Sequence, residues 1–123
     1  MMQERRKFPR FNLSVTVNWG KGADVADQAP QHKGTSKDIS AGGICLILDE
    51  RVSAGDVLEL EIKLSLDKVI RLKGRVAWIE KFEMIGGRHE VGYEGGIEFI
   101  DVSDEMREEI SKSIFHLSHK GSA

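Results

Sequence analysis

The chain holds one cysteine, Cys45, so no disulfide can form within it, and a single free thiol suits a reducing compartment. Neither sign of charge dominates: 18 basic and 20 acidic side chains nearly cancel, so no overall field draws the chain to DNA, RNA or an anionic membrane. There is no apolar run long enough to cross a bilayer. The opening Met-Met-Gln-Glu-Arg-Arg lacks the apolar centre of a signal peptide. Aromatic residues make up 7% of the chain, too few along the strands for the stacked platform of a single-stranded nucleic-acid binder. Catalytic patterns are missing as well. There is no Ser/His/Asp elbow, no Walker loop and no metal-ligand set, and Cys45 lies in an apolar run without a histidine partner. His116 and His119 are three apart but have no third ligand, so they read as a solvated helix end and no metal is expected. Gly86-Gly87, Gly92 and Gly95-Gly96 precede no helix whose N-terminus would face a phosphate. These absences lead us to expect a soluble, cytoplasmic, non-enzymatic domain without membrane insertion.

What is present is strand periodicity. At 123 residues the chain is one domain's worth. Phe11, Leu13, Val15, Val17 and Trp19 alternate with polar residues, which predicts a strand with one buried face from Phe11 to Trp19. Gly20 to Gln31 breaks the pattern and reads as an exposed, mobile loop. A second strand is placed from about His32 into Asp38. After the Gly42-Gly43 bend, the run Ile44 to Leu48 is apolar throughout and predicts a strand covered on both faces or with one face against another element. Ser53 to Asp56 reads as a turn. The alternations Leu58 to Leu66 and Ile70 to Trp78 predict two further strands, with Gly74 marking a bend. Gly86-Gly87 reads as a hairpin turn before a last strand from about Glu90 to Ile100.

From Ser103 the period lengthens, and Met106, Ile110, Ile114 and Leu117 fall on one stripe of a helix over about 103–118. Ser103 suits the N-cap, and Asp104, Glu105, Glu108 and Glu109 complement the positive end of the helix dipole. Six short strands and one helix describe an all-β barrel or sandwich, between which periodicity does not choose.

Two polar clusters remain to be explained. Arg5-Arg6-Lys7-Phe8-Pro9-Arg10 gathers guanidiniums ahead of any apolar period, giving residues 1–10 a charge of +3. Guanidinium forks match phosphate oxygens and the O6/N7 edge of guanine. Pro9 biases Phe8 toward an extended conformation, and Phe8 reads as a simple lead-in to the first strand or as an anchor for this arm. Asp38-Ile39-Ser40-Ala41-Gly42-Gly43 sets a carboxylate and a hydroxyl two residues apart before two glycines, which suits either an ordinary turn or the close approach of a ligand. A ligand with phosphates and guanine edges would engage both clusters. Trp78 fits the core by its alternation, with a base-stacking place at a barrel rim as the other reading.

The spacing Arg6-x-x-x-Arg10 followed by Asp38-x-Ser40-x-x-Gly43 resembles the PilZ domain, a bacterial receptor module for cyclic di-GMP. Gly74 to Ile79 and Gly96 to Asp101 look like that family's late strands, so the likeness runs from about Arg5 to Leu117, and no motif residue departs from the pattern. The resemblance implies a six-stranded antiparallel β-barrel with a C-terminal α-helix, divided as a flexible arm (1–10), a barrel with helix (11–118) and a tail (119–123). It implies a cyclic di-GMP site made by Arg5, Arg6, Arg10, Asp38, Ser40 and Gly43, with Trp78 a further candidate. In that site Asp38 accepts from guanine N1/N2, Ser40 bonds the ligand, Gly43 allows backbone approach and the arginines meet phosphates and guanine edges. It further implies an effector whose arm becomes ordered on binding and which signals to a protein partner in motility, exopolysaccharide or pilus function. The sequence does not choose among these processes, between one nucleotide and a stacked pair, or between oligomeric states. A PilZ-like adaptor without nucleotide binding and a single-stranded nucleic-acid-binding barrel are the competing readings; the intact motif speaks against the first, and the scarcity of exposed aromatics against the second.

Overall fold

A computed structural model describes residues 8–21, 30, 32–84 and 90–120. Six strands precede one helix: β1 (Thr16–Lys21), β2 (His32–Ile39), β3 (Gly43–Leu48), β4 (Val57–Lys63), β5 (Val69–Met84), β6 (Glu90–Ile100) and α1 (Asp104–Lys120). The strands close into a barrel in the order β1-β2-β3-β6-β5-β4, with every pairing antiparallel. Closure leaves no continuous open edge, and β1 completes the ring by pairing with both β2 and β4. Barrel, rather than sandwich, is the outcome.

The alternating positions fill the interior. Val17 and Trp19 from β1, Leu58, Leu60 and Ile62 from β4, and Ile70, Leu72 and Val76 from β5 are all buried. Ile44, Leu46 and Leu48 add the inward face of β3; on its other face Cys45 is buried and Ile47 half-buried, so the expected cover on both faces is only partial. Ile110 and Ile114 of α1 join the same cluster, with Met106 and Leu117 half-buried at its margin. The Ser103 hydroxyl accepts from Met106 N at 3.1 Å and caps α1. Asp101 enters the link to the helix with φ 54°, a left-handed conformation that aspartate tolerates. Gly55, at φ 95°, closes the turn between Ser53 and Asp56, where Asp56 N donates to Ser53 O at 3.0 Å. Gly74 is an interior position: a Cβ there would run into Ile97 of β6 and come within 3.1 Å of Leu60, so glycine lets β5 close on its neighbour.

Several boundaries differ from the sequence reading, among them the end of β5, which runs on past Trp78 to Met84. The first strand begins at Thr16, not Phe11. Residues 11–15 still lie along β2, with paired bonds between Phe11 and Ile39 (2.9 and 3.0 Å), but their ladder is interrupted by a side chain. Buried Ser36 takes up that backbone: its Oγ accepts from Val15 N at 2.8 Å and donates to Leu13 O. At the other end β1 continues through Gly20 and Lys21, while residues 22–29 and Gln31 of the expected loop, like the Gly86-Gly87 turn, lie outside the described residues. β4 stops at Lys63, and Leu66 stands fully exposed in the turn to β5, because Ser65 and Lys68 pair with each other across a tight connection.

Two β-bulges decide which polar and aromatic side chains leave the core. Between Ser36 and Asp38 the β2–β3 register shifts, and between Val76 and Trp78 the β5–β6 register shifts. Each inserts one residue (Lys37, Ala77) and reverses the in-out phase beyond it. On β2, strict alternation from Gly34 and Ser36 would drive Asp38 into the core; the bulge sends Ile39 inward instead and leaves Asp38 half-buried. On β5, alternation from Ile70 to Val76 would bury Trp78; the bulge leaves it 40% exposed. The core reading of Trp78 is therefore corrected.

Candidate functional site

Both re-aimed side chains open into one cleft of about 920 Å³, bordered by the segment 8–10, the β2–β3 turn, the bulged stretch of β5, the facing part of β6 and the start of α1. The turn is tightly organised. Ser40 Oγ accepts from Gly42 N (3.1 Å) and Gly43 N (3.2 Å), and Ser40 N donates to Gly43 O (2.8 Å). Phe99 N donates to Gly42 O (3.0 Å), and an Arg107 guanidinium nitrogen donates to Ala41 O (3.1 Å). Every carbonyl from Ala41 to Gly43 thus has a donor. The Ser40 hydroxyl hydrogen has only a long contact of 3.4 Å to Gly43 O, which a better acceptor can replace.

Arg10 and Asp38, 28 positions apart in sequence, meet in the cleft at 3.9 Å, Nε to Oδ1. The Phe11–Ile39 bridge immediately beyond them sets this juxtaposition. Gly43 has a use that the sequence reading missed: a Cβ there would stand 2.5 Å from Ile97 O, so glycine is required by the packing of β3 on β6. The Trp78 indole occupies the space that a side chain at Gly96 would take. Arg5 and Arg6 lie outside the described residues.

Several cleft residues were not singled out from the sequence. Arg107 sits 5.3 Å from the centroid of the Phe8 ring. Its one signal was its place as the lone basic residue in an acidic helix start. Glu94 and Glu98 face the cleft from β6, joined by Lys37 and Asp104. Lys37 Nζ lies 3.5 Å from Glu94, and Cys45 Sγ lies 3.6 Å from the same carboxylate. Burial first, then the charges of Glu94 and Asp38, push the Cys45 thiol up to about 11, so it remains a protonated thiol at neutral pH. With Arg10 and Lys37 the cleft presents donors for phosphate oxygens, while the Arg107 guanidinium is engaged by Ala41 O; with Asp38, Glu94, Glu98 and Asp104 it presents acceptors for N–H edges.

Elsewhere, His32, Asp49 and Glu50 come together at the opposite end of β2 and β3, with His32 Nδ1 against Glu50 and its ring stacked on Trp19 at 4.5 Å. His116 is exposed on α1. Among the described residues no helix is long and apolar enough to cross a membrane.

The chain is thus a small closed six-stranded antiparallel β-barrel with a C-terminal helix and a polar cleft at the β2–β3 turn. The profile of the PilZ domain matches residues 4–116, and the chain belongs to the PilZ domain family. No curated protein sequence matches it. Among solved structures, the PilZ domain of YcgR from Escherichia coli with c-di-GMP superposes with a TM-score of 0.74 at 17% identity, covering 97% of this chain and 95% of that one. The K. pneumonia MrkH–c-di-GMP complex gives 0.74 at 20% identity, covering 98% of this chain and 55% of MrkH. MrkH is also described as a c-di-GMP-dependent transcription regulatory factor. The Bacillus subtilis inhibitor of motility MotI/DgrA gives 0.68 at 19% identity, covering 96% and 53%. The chain therefore spans about half the length of MrkH and MotI, and at these identities the likeness is one of fold.

Proposed function

We propose that the chain binds cyclic di-GMP in the cleft at the β2–β3 turn and passes its occupancy to a protein partner, without catalysing a reaction. The observation that carries this reading is the meeting of Arg10 and Asp38 in one cleft beside the Ser40 turn. Asp38 accepts from the N1 and N2 donors of a guanine, and the Ser40 hydroxyl bonds the ligand. Arg10, with Arg5 and Arg6 of the same basic segment, meets phosphate oxygens and the guanine O6/N7 edge. Trp78 offers an indole face to a purine. Gly43 keeps the turn close against β6, so the site stays open to the ligand.

Breaking the Arg10–Asp38 contact to admit the ligand costs little, because Arg10 is half-exposed and solvent already competes for it. New contacts from the basic segment then change the surface at this end of the barrel, which is what a partner reads. That the YcgR domain and MrkH were solved with c-di-GMP supports the choice of nucleotide. The downstream process fits motility, as in the inhibitor MotI, as well as exopolysaccharide or pilus control. Isothermal titration with cyclic di-GMP, with GTP and a short oligonucleotide as controls, tests the proposal. Saturable binding of cyclic di-GMP alone is expected. Heat from the oligonucleotide alone would move the chain to a nucleic-acid binder, and no heat from any of the three would leave a protein-interaction module.

A further inference from the structure

Phe8 lies two residues before Arg10, and its ring rests on the β2–β3 turn. The ring edge comes within 3.0 Å of where a Cβ of Gly42 would stand, so any side chain at position 42 would meet it. The Arg107 guanidinium stands over the ring, 5.3 Å from its centroid. The same guanidinium donates to Ala41 O at 3.1 Å, in a partly buried bond that ties α1 to the turn across 66 positions of sequence. Phe8 thus touches both a glycine of the turn and an arginine of the helix.

We infer that Gly42 and Arg107 form a seat for the Phe8 ring, and that this seat holds Arg10 at the cleft, making Arg107 a positioning residue for nucleotide binding. The inference rests on the proposed cyclic di-GMP site. Its physical basis is a contrast between two tethers. The Arg10–Asp38 ion pair, at 3.9 Å with the Arg10 side chain 53% exposed, is weak, and it is made of groups that the ligand itself would engage. A tether of that kind is consumed by binding. The seat uses no such group: an apolar ring, a missing Cβ and a guanidinium whose hydrogen bond goes to the backbone all persist when the ligand arrives. It therefore lowers the ordering cost of Arg10, two residues beyond Phe8, in both the free and the bound protein. Gly42 falls at one of the unspecified positions of the Asp38-x-Ser40-x-x-Gly43 spacing.

The test compares the full chain with Arg107→Met, Arg107→Lys, Phe8→Leu and the double variant Phe8→Leu/Arg107→Met, in two measurements. The first, without ligand, is the nuclear Overhauser contact between the Phe8 ring and the Gly42 amide. The second is affinity for cyclic di-GMP by titration calorimetry. Arg107→Met is expected to lose the Phe8–Gly42 contact while the amide spectrum of the barrel strands is kept, and to weaken binding on the order of tenfold, the loss of one cation–π contact and one charged hydrogen bond. Arg107→Lys restores part of the affinity, since a lysine can still donate to Ala41 O but offers no flat face. The double variant should be no weaker than the worse single variant by more than about twofold, because both remove the same seat. A Phe8–Gly42 contact and an affinity unchanged in Arg107→Met would overturn the inference, as would fully additive losses. If the unmodified chain binds no cyclic di-GMP, the ligand reading fails by itself, and the contact measurement still decides whether the seat exists.

Discussion

Gly43→Ala separates the structural and ligand-binding uses of the last motif position. A Cβ at 43 would stand 2.5 Å from Ile97 O, whereas a methyl and a carbonyl oxygen rest about 3.3–3.6 Å apart. The obstacle is backbone on a neighbouring strand, so relief requires β3 and β6 to part by roughly 1 Å at the Gly43–Glu98 pair. No rotamer change can supply that. The turn resists it too, because Ser40 N donates to Gly43 O at 2.8 Å and Gly43 N to Ser40 Oγ at 3.2 Å. Overpacking of this kind costs about 1–3 kcal/mol. For a domain of this size that lowers the melting temperature by roughly 4–12 °C. The assay is thermal unfolding by circular dichroism, with cyclic di-GMP titration at 20 °C alongside. The expected result is a lower melting temperature together with weaker binding. An unchanged melting temperature with abolished binding would refute the packing argument and return Gly43 to a purely ligand-facing use.

Ser36→Ala leaves Val15 N and Leu13 O without the hydroxyl that joins them to β2, and should cost about 2–3 kcal/mol in urea unfolding; Ser36→Thr, which keeps a hydroxyl, should cost less. Gly96→Ala displaces the Trp78 indole from its place on β6, so any ligand-induced change in tryptophan emission should be lost, while emission from buried Trp19 stays constant. Cys45, raised to about 11 against its ordinary 9.0, should resist alkylation at pH 9 in the folded chain and react promptly in urea. Between 9.0 and about 11 the unfolded chain releases the thiol proton before the folded one, so this group's contribution to stability is intact below pH 9 and lost as pH rises toward 11. Glu61 works the other way. Asn18 and Arg71 hold its carboxyl below the usual 4.5, so its contribution is present above that value and is lost as pH falls through the folded one, which the double variant Asn18→Ala/Arg71→Ala should abolish in acid unfolding.

Much of the barrel was legible because its faces differ so sharply. β4 and most of β5 alternate apolar and charged residues one for one, and such a strand has a single workable orientation. The stripe of α1 and its Ser103 cap were readable for the same local reason. What was not legible is non-local. The period of Ile70 to Val76 says nothing of the extra residue at Ala77 that turns Trp78 outward, because a bulge is set by pairing with β6. The Phe11 to Val15 alternation is genuine, yet a serine 21 to 23 positions later replaces the expected ladder. Asp38 and Arg10 were identifiable from their spacing, but Arg107 reaches the site through a carbonyl 66 positions away, and one arginine in an acidic helix start carries no such message.

The central claim is that the cleft between Arg10, the Asp38–Gly43 turn and Trp78 receives cyclic di-GMP. Titrating the nucleotide into the ¹⁵N-labelled chain while recording amide and indole resonances tests it most directly. Saturable shifts are expected at Arg10, Gly42, Gly43 and the Trp78 indole, and none of them in a folded Asp38→Ala variant. Shifts confined to His32, Asp49 and Glu50 at the far end of β2 and β3, or no shifts at all, would contradict it.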